Sequence, residues 1–179
     1  MEKKRLSQGM IQVYTGDGKG KTTAALGLAC RAVGHGYKVL IIQFMKGKFE
    51  YGELETARRL APLMTIRPMG RGCRVSRERP DPEDVKCCHE AMLYAQRAIA
   101  SGEYDIVVLD EINVAVDLEL LKKEEVLKLL DERPSHLELI LTGRQAAQEI
   151  IERADLVTEM KEVKHYYRKG VESRTGIEK

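Results

Sequence analysis

No charge of one sign dominates this chain: 30 lysines and arginines stand against 28 acids, for a formal net charge of +2. That balance argues against a general attraction to nucleic acid or to a membrane surface. No apolar run approaches the roughly 18 residues of a spanning helix, and the opening MEKKRLSQGM has no apolar core of the secretory kind. A cytoplasmic protein is expected, with neither nucleic acid nor membrane as partner. The four cysteines, Cys30, Cys73, Cys87 and Cys88, form no CxxC pair, and a reducing compartment keeps them as thiols. Cys87-Cys88-His89 is a poor chelate, because adjacent residues on a helix point about 100° apart. Repeats, linkers and low-complexity blocks are missing too. What remains is 43% apolar and 32% charged over 179 residues, an ordinary soluble balance. That length suits one domain spanning 1–179 with a single core.

Apolar runs alternate with helical patterns along the whole chain. Strands are expected at 10–14 (MIQVY), 37–44 (YKVLIIQF), 64–69, 104–109 (YDIVVL), 137–141 (LELIL) and 155–160. Helices are expected at 21–33, 53–60, 82–100, 121–132 and 145–153, the third opened by Asp81 as N-cap and Pro82 at the first helical position. Such alternation predicts an α/β fold with a mostly parallel sheet and helices on both faces. The one long irregular stretch, 70–80 (GRGCRVSRERP), carries Arg71, Arg74, Arg77 and Arg79, and loops of that length are usually functional or mobile.

Between the first strand and the first helix lies TGDGKGKTT, residues 15–23. Gly16, Gly18 and Gly20 let backbone amides approach anionic oxygens with no Cβ in the way, and the helix that follows adds its dipole. Gly16, Asp17, Gly18, Lys19, Gly20, Lys21, Thr22 and Thr23 are the candidate ATP-binding residues, with Lys21 bridging phosphate oxygens and Thr22 ligating Mg²⁺. One position departs from G-x-x-x-x-G-K-[ST]: Thr15 stands where the first glycine belongs. The other half of such a site is an acid closing an apolar strand. IVVLDE supplies Asp110 and Glu111, which can hold the metal directly or through water. A magnesium triphosphate site is expected, with Lys21, Thr22 and Glu111 as catalytic candidates.

These stretches, together with QFMKG, Gly52-Glu53, ERP, LTGR and a tail containing VKH and GIE, resemble the ATP:corrinoid adenosyltransferases of the bacterial cobalamin pathway. The matches span nearly the whole chain in order. The resemblance implies a P-loop fold like the RecA core, a homodimer, a flavoprotein-type reductant, and Mg²⁺ or Mn²⁺. It implies attack of a reduced Co(I) corrinoid on C5′ of ATP, giving adenosylcorrinoid and triphosphate. It also implies that ATP lies reversed, its γ-phosphate where ordinary P-loop enzymes hold the α. Co(I) carries no proton, so no general base is needed, and His35, His89, His136 and His165 are read as structural.

Two features depart from the family pattern. The loop after the third strand reads GRGCRV, with no aromatic residue between Tyr51 and Tyr94, and about nine residues precede the first strand. Family members place aromatics in that loop against the corrin and often carry a longer N-terminal helix. Arg71 and Arg74 are the corrinoid candidates instead, through guanidinium contacts to carboxamides or a phosphate. Two other readings stay open: a RecA-like ATPase or kinase that splits the β–γ bond, and a non-enzymatic module that delivers ATP and corrinoid.

Overall fold

The computed structural model describes residues 5–47, 51–72 and 75–178. Its strands are β1 (Ile11–Thr15), β2 (Val39–Phe44), β3 (Met64–Met69), β4 (Ile106–Asp110), β5 (Glu138–Thr142) and β6 (Leu156–Glu159). They form one sheet in the order β3-β2-β4-β5-β1-β6, every pairing parallel. The helices are α1 (Lys21–Gly34), α2 (Gly52–Arg59), α3 (Pro82–Ala100), α4 (Ile112–Asp117), α5 (Lys123–Glu132) and α6 (Gln148–Arg153), with a 3-10 turn at Tyr166–Lys169.

β2 shows why this sequence makes a covered sheet. VLIIQF is buried at all six positions. Leu40, Ile42 and Phe44 face the apolar cluster that includes α3 to α6, while Val39 and Ile41 face the one beneath α1 and α2. A strand apolar on both sides belongs in the middle of a two-faced layer. β4 and β5 repeat the division, with Val107, Leu109, Leu139 and Leu141 on one face and Ile106, Val108 and Ile140 on the other. Truncating any of these leucines to alanine costs about 2–5 kcal/mol. α1 turns Ala25, Ala29 and Ala32 to the sheet, small residues that bring its N-terminus close to the strand ends.

α3 starts as expected: the Asp81 carboxylate accepts from the Glu83 amide at 2.9 Å, with Pro82 at the first position. Cys88 lies in the core, where burial pushes its thiol up to about 12.

α4 escapes the sequence reading, which left 112–120 without an element. Glu111 takes a left-handed φ of 65° and turns β4 directly into a six-residue helix with no side-chain cap. Six residues are too few to show a period. Leu120 and Leu121 are buried ahead of α5, so that helix begins at Lys123 rather than at 121. α6 begins at Gln148 rather than 145, because Gln145 has φ 53°. Among the described residues no helix is long and apolar enough to cross a membrane.

Candidate active site

All six strands point the same way, so the loops after β1, β2, β4 and β5 gather at one end of the sheet, where α/β proteins bind ligands. A cavity of ≈ 670 Å³ opens there, lined by the glycine loop, Lys46, Glu111 and Arg144 among others. The turns that build it are tight. Met45, Glu111 and Gln145 have φ of 59°, 65° and 53°, and Gly16, Gly20 and Gly143 lie at 92°, 124° and 135°. Left-handed non-glycine residues cost of order 1–3 kcal/mol each and cluster where structure serves a ligand.

Of the eight loop candidates, Gly18, Lys19, Gly20, Lys21, Thr22 and Thr23 line the cavity; Gly16 and Asp17 stand outside that wall. The Lys21 ammonium donates to the Gly16 carbonyl at 2.6 Å and to the Gly18 carbonyl at 2.7 Å. Burial pulls its pKa down and Arg144 adds to that, against the pull of Glu111, Asp17 and Asp110. One amide departs from expectation. Gly18 N–H donates to the Met160 carbonyl at 2.7 Å, so it serves the chain rather than an incoming anion.

Asp110 is fully buried. Its Oδ1 accepts from the hydroxyls of Thr22 and Thr142, each at 2.7 Å, and its Oδ2 from the Lys46 ammonium at 2.8 Å. The Glu111 amide in turn donates to the Thr142 hydroxyl at 3.0 Å. Glu111 itself lines the cavity, and burial followed by the charge of Asp110 raises its pKa against Lys46, Lys21 and Arg144. A carboxylate crowded by another negative charge gains from a cation. Among the described residues no group of three or more histidines, cysteines and acids could cage a metal. The donor set fits Mg²⁺ as it usually binds nucleotides, through a hydroxyl, one or two carboxylates and phosphate oxygens. Thr22 and Glu111 line the cavity, and Asp110 holds the Thr22 hydroxyl from behind.

Several residues here were not singled out from the sequence. Lys46 lies 5.6 Å from the Tyr51 ring centroid and 3.9 Å from Glu53, and the Gln43 amide donates to Glu53 at 3.1 Å. Arg144 lines the cavity from the loop after β5. The signals were present, as QFMKG and LTGR, but the spacing carries no chemistry until the sheet brings the loops together. His89 bonds the Val85 carbonyl and His136 meets Arg5, and neither lines the cavity. His165 differs: it lines the cavity, together with Gly176, Ile177 and Glu178.

The 70–80 loop is tied to the body. Gly70 N–H donates to the Lys46 carbonyl at 2.8 Å. Arg71 Nη1 sits 2.5 Å from Asp81 Oδ2 and 3.8 Å from Asp84. Arg77 donates to the Asp117 carboxylate at 2.7 Å and its carbonyl at 3.0 Å. Arg71 is outside the cavity wall, and Arg74 lies outside the described residues.

A glycine loop between β1 and α1, an acid closing β4 with β5 between the two strands, and an all-parallel sheet define a P-loop nucleotide-binding protein. The KaiC-like protein PH0186 of Pyrococcus horikoshii OT3 has the same fold, with a TM-score of 0.57 at 17% identity over 88% of this chain and 74% of that one. The chain belongs to the family of ATP:corrinoid adenosyltransferases BtuR/CobO/CobP, whose model matches residues 7–178. The corrinoid adenosyltransferase of Escherichia coli (strain K12) is 41% identical over 172 residues, 96% of this chain and 86% of that protein. Corrinoid adenosyltransferase CobA of Salmonella typhimurium is 39% identical over the same shares.

Proposed function

We propose that this protein transfers the 5′-deoxyadenosyl group of ATP to the Co(I) centre of a reduced corrinoid and releases triphosphate, in making or salvaging adenosylcobalamin. The observation that carries this reading is the family match over residues 7–178, centred on a cavity where Lys21, Lys46 and Arg144 surround the loop.

The reaction is a displacement at carbon. The Co(I) lone pair forms the Co–C5′ bond, the C5′–O bond breaks, and its electron pair leaves on the triphosphate oxygen. No proton moves, so no general base is needed. Negative charge grows on the leaving triphosphate, and Lys21 and Arg144 offset it in place, the kind of preorganised stabilisation that dominates many rate enhancements. Thr22 and Glu111, with Asp110 behind, would hold Mg²⁺ (or Mn²⁺), which supplies further charge neutralisation to the leaving group. ATP lies reversed in the loop in this reading. The corrinoid approaches across 70–80, with Arg71 and Arg74 as its contacts. Arg71 then shares its guanidinium with Asp81. A homodimer, a flavoprotein-type reductant and a cytoplasmic setting complete the proposal.

The test is product analysis. With ATP, Mg²⁺ and chemically reduced corrinoid, a light-sensitive Co–C bond and intact triphosphate are expected. ADP and orthophosphate as the corrinoid-dependent products would instead establish the ATPase reading.

A further inference from the structure

The chain beyond β6 returns to the nucleotide cavity. His165, Ile177 and Glu178 share its wall with Lys19, Lys21 and Arg144. The segment begins on the phosphate loop itself. Met160 N–H donates to the Thr15 carbonyl at 2.8 Å, and the Met160 carbonyl accepts from Gly18 N–H. A Cβ on Gly16 would lie 2.5 Å from the Met160 carbonyl oxygen, and one on Gly18 2.7 Å from the Lys161 carbonyl. Two of the loop's glycines therefore admit this segment, whatever they also do for phosphate.

Past Lys161 the segment is fastened to itself. Glu178 accepts from the Arg174 amide at 2.8 Å, from its guanidinium at 3.1 Å and from the Tyr166 hydroxyl. The Arg174 guanidinium lies 4.8 Å from the Tyr166 ring centroid, and Arg168 pairs with Glu162. Glu178 is a carboxylate on a wall that must accept phosphate, but these partners take up its oxygens. The result is a preformed clasp with one functional ring on it.

That ring has a defined tautomer. Tyr167 N–H donates to His165 Nδ1 at 3.1 Å, so the neutral imidazole carries its proton on Nε2. Among the described residues Nε2 has no hydrogen-bond partner. An N–H donor on a wall shared with three lysines and an arginine matches a ligand rich in anionic acceptors.

We infer that residues 161–178 are a built part of the nucleotide site, and that His165 donates from Nε2 to the polyphosphate chain of the nucleotide. The inference rests on the nucleotide reading above and adds a residue to it. It is tested on the full chain by calorimetric titration with Mg²⁺-ATP, Mg²⁺-tripolyphosphate and adenosine. His165→Ala is expected to weaken ATP and tripolyphosphate alike by about tenfold, the usual effect of one hydrogen bond to a charged group, with adenosine and the melting temperature unchanged. His165→Gln, whose amide N–H reaches the same place, should restore binding to within about threefold. Glu178→Gln combined with Tyr166→Phe unfastens the clasp and should weaken both ligands without touching the ring. Tripolyphosphate binding equal in wild type and His165→Ala overturns the inference, as does a loss confined to ATP, which would move the contact to the nucleoside. Wild type that binds neither phosphate ligand would overturn the nucleotide reading itself.

Discussion

Asparagine at position 110 tests what holds the floor of the site. Two hydroxyls and an ammonium all donate to the Asp110 carboxylate. An amide cannot satisfy all three. With its nitrogen in place of Oδ2, a donor faces the Lys46 ammonium. With its nitrogen in place of Oδ1, the hydroxyls of Thr22 and Thr142 must rotate, and Lys46 meets only a neutral oxygen. Removing one member of a buried pair costs about 3–5 kcal/mol. The Lys46 side chain keeps 22% of its surface exposed, so water relieves part of the loss and the lower end, about 3 kcal/mol, is the expectation. At about 2–4 °C per kcal/mol for a chain of this size, Asp110→Asn should melt roughly 6–12 °C below wild type. The pH dependence has a sign. Burial lowers the Lys46 pKa, but the Asp110 charge and hydrogen bond, with Glu53 and Glu111, raise it above 10.5. A raised folded value in a base gives stability that is complete below the unfolded value and is lost as pH rises through the folded one. The deficit of Asp110→Asn should therefore hold steady through neutral and mildly alkaline pH and shrink only beyond 10.5. Thermal melts followed by circular dichroism, with Lys46→Met and the double variant, measure the coupling. A loss below about 1 kcal/mol, or a deficit that vanishes at neutral pH, would refute the reasoning.

Lys21→Ala should slow Co–C bond formation by about 10²–10³-fold while leaving the circular dichroism spectrum unchanged, since one such electrostatic contact is worth about 2.7–4 kcal/mol. Single-turnover rates near wild type would remove it from the reaction. Glu111→Gln should melt higher than wild type at neutral pH while losing metal-dependent turnover. Burial and Asp110 raise the Glu111 pKa above 4.5, a penalty present above the folded value that disappears as pH falls below the ordinary one. A variant that melts lower at neutral pH would contradict that account.

The sheet was legible because its strands announce themselves. VLIIQF and IVVLD are apolar without alternation, and only a two-sided layer needs that. The ends of elements were harder to read. Glu111 and Gln145 adopt left-handed turns that no local composition signals, and these conformations hid α4 and shortened α6. In the site, TGDGKGKTT and VVLDE give their chemistry by type and spacing. Lys46, Arg144 and His165 do not, since each becomes a site residue only through a contact 64 or more positions away in the chain or by a shared cavity wall. The arginine loop is a further case. Its composition names the guanidinium groups but not their neighbours: Arg71 and Arg77 meet Asp81 and Asp117, acids whose proximity depends on where α3 and α4 lie.

Thr15, the residue that breaks the usual loop pattern, is where these lines meet. It is still strand: it pairs with Glu159 of β6, and the turn begins only at Gly16, with φ 92°. A glycine here would leave the pairing intact but remove the side chain. The Thr15 hydroxyl accepts from the Ala146 amide at 3.2 Å, which pins the loop that carries Arg144. Its carbonyl accepts from Met160 N–H at 2.8 Å, which pins the start of the segment that carries His165. One residue thus fixes both flanking walls to the base of the phosphate loop. What the departure from the common motif adds is the hydroxyl that anchors the Arg144 loop, while the backbone carbonyl, which a glycine would share, holds the segment leading to His165. The loop and its two walls are one arrangement.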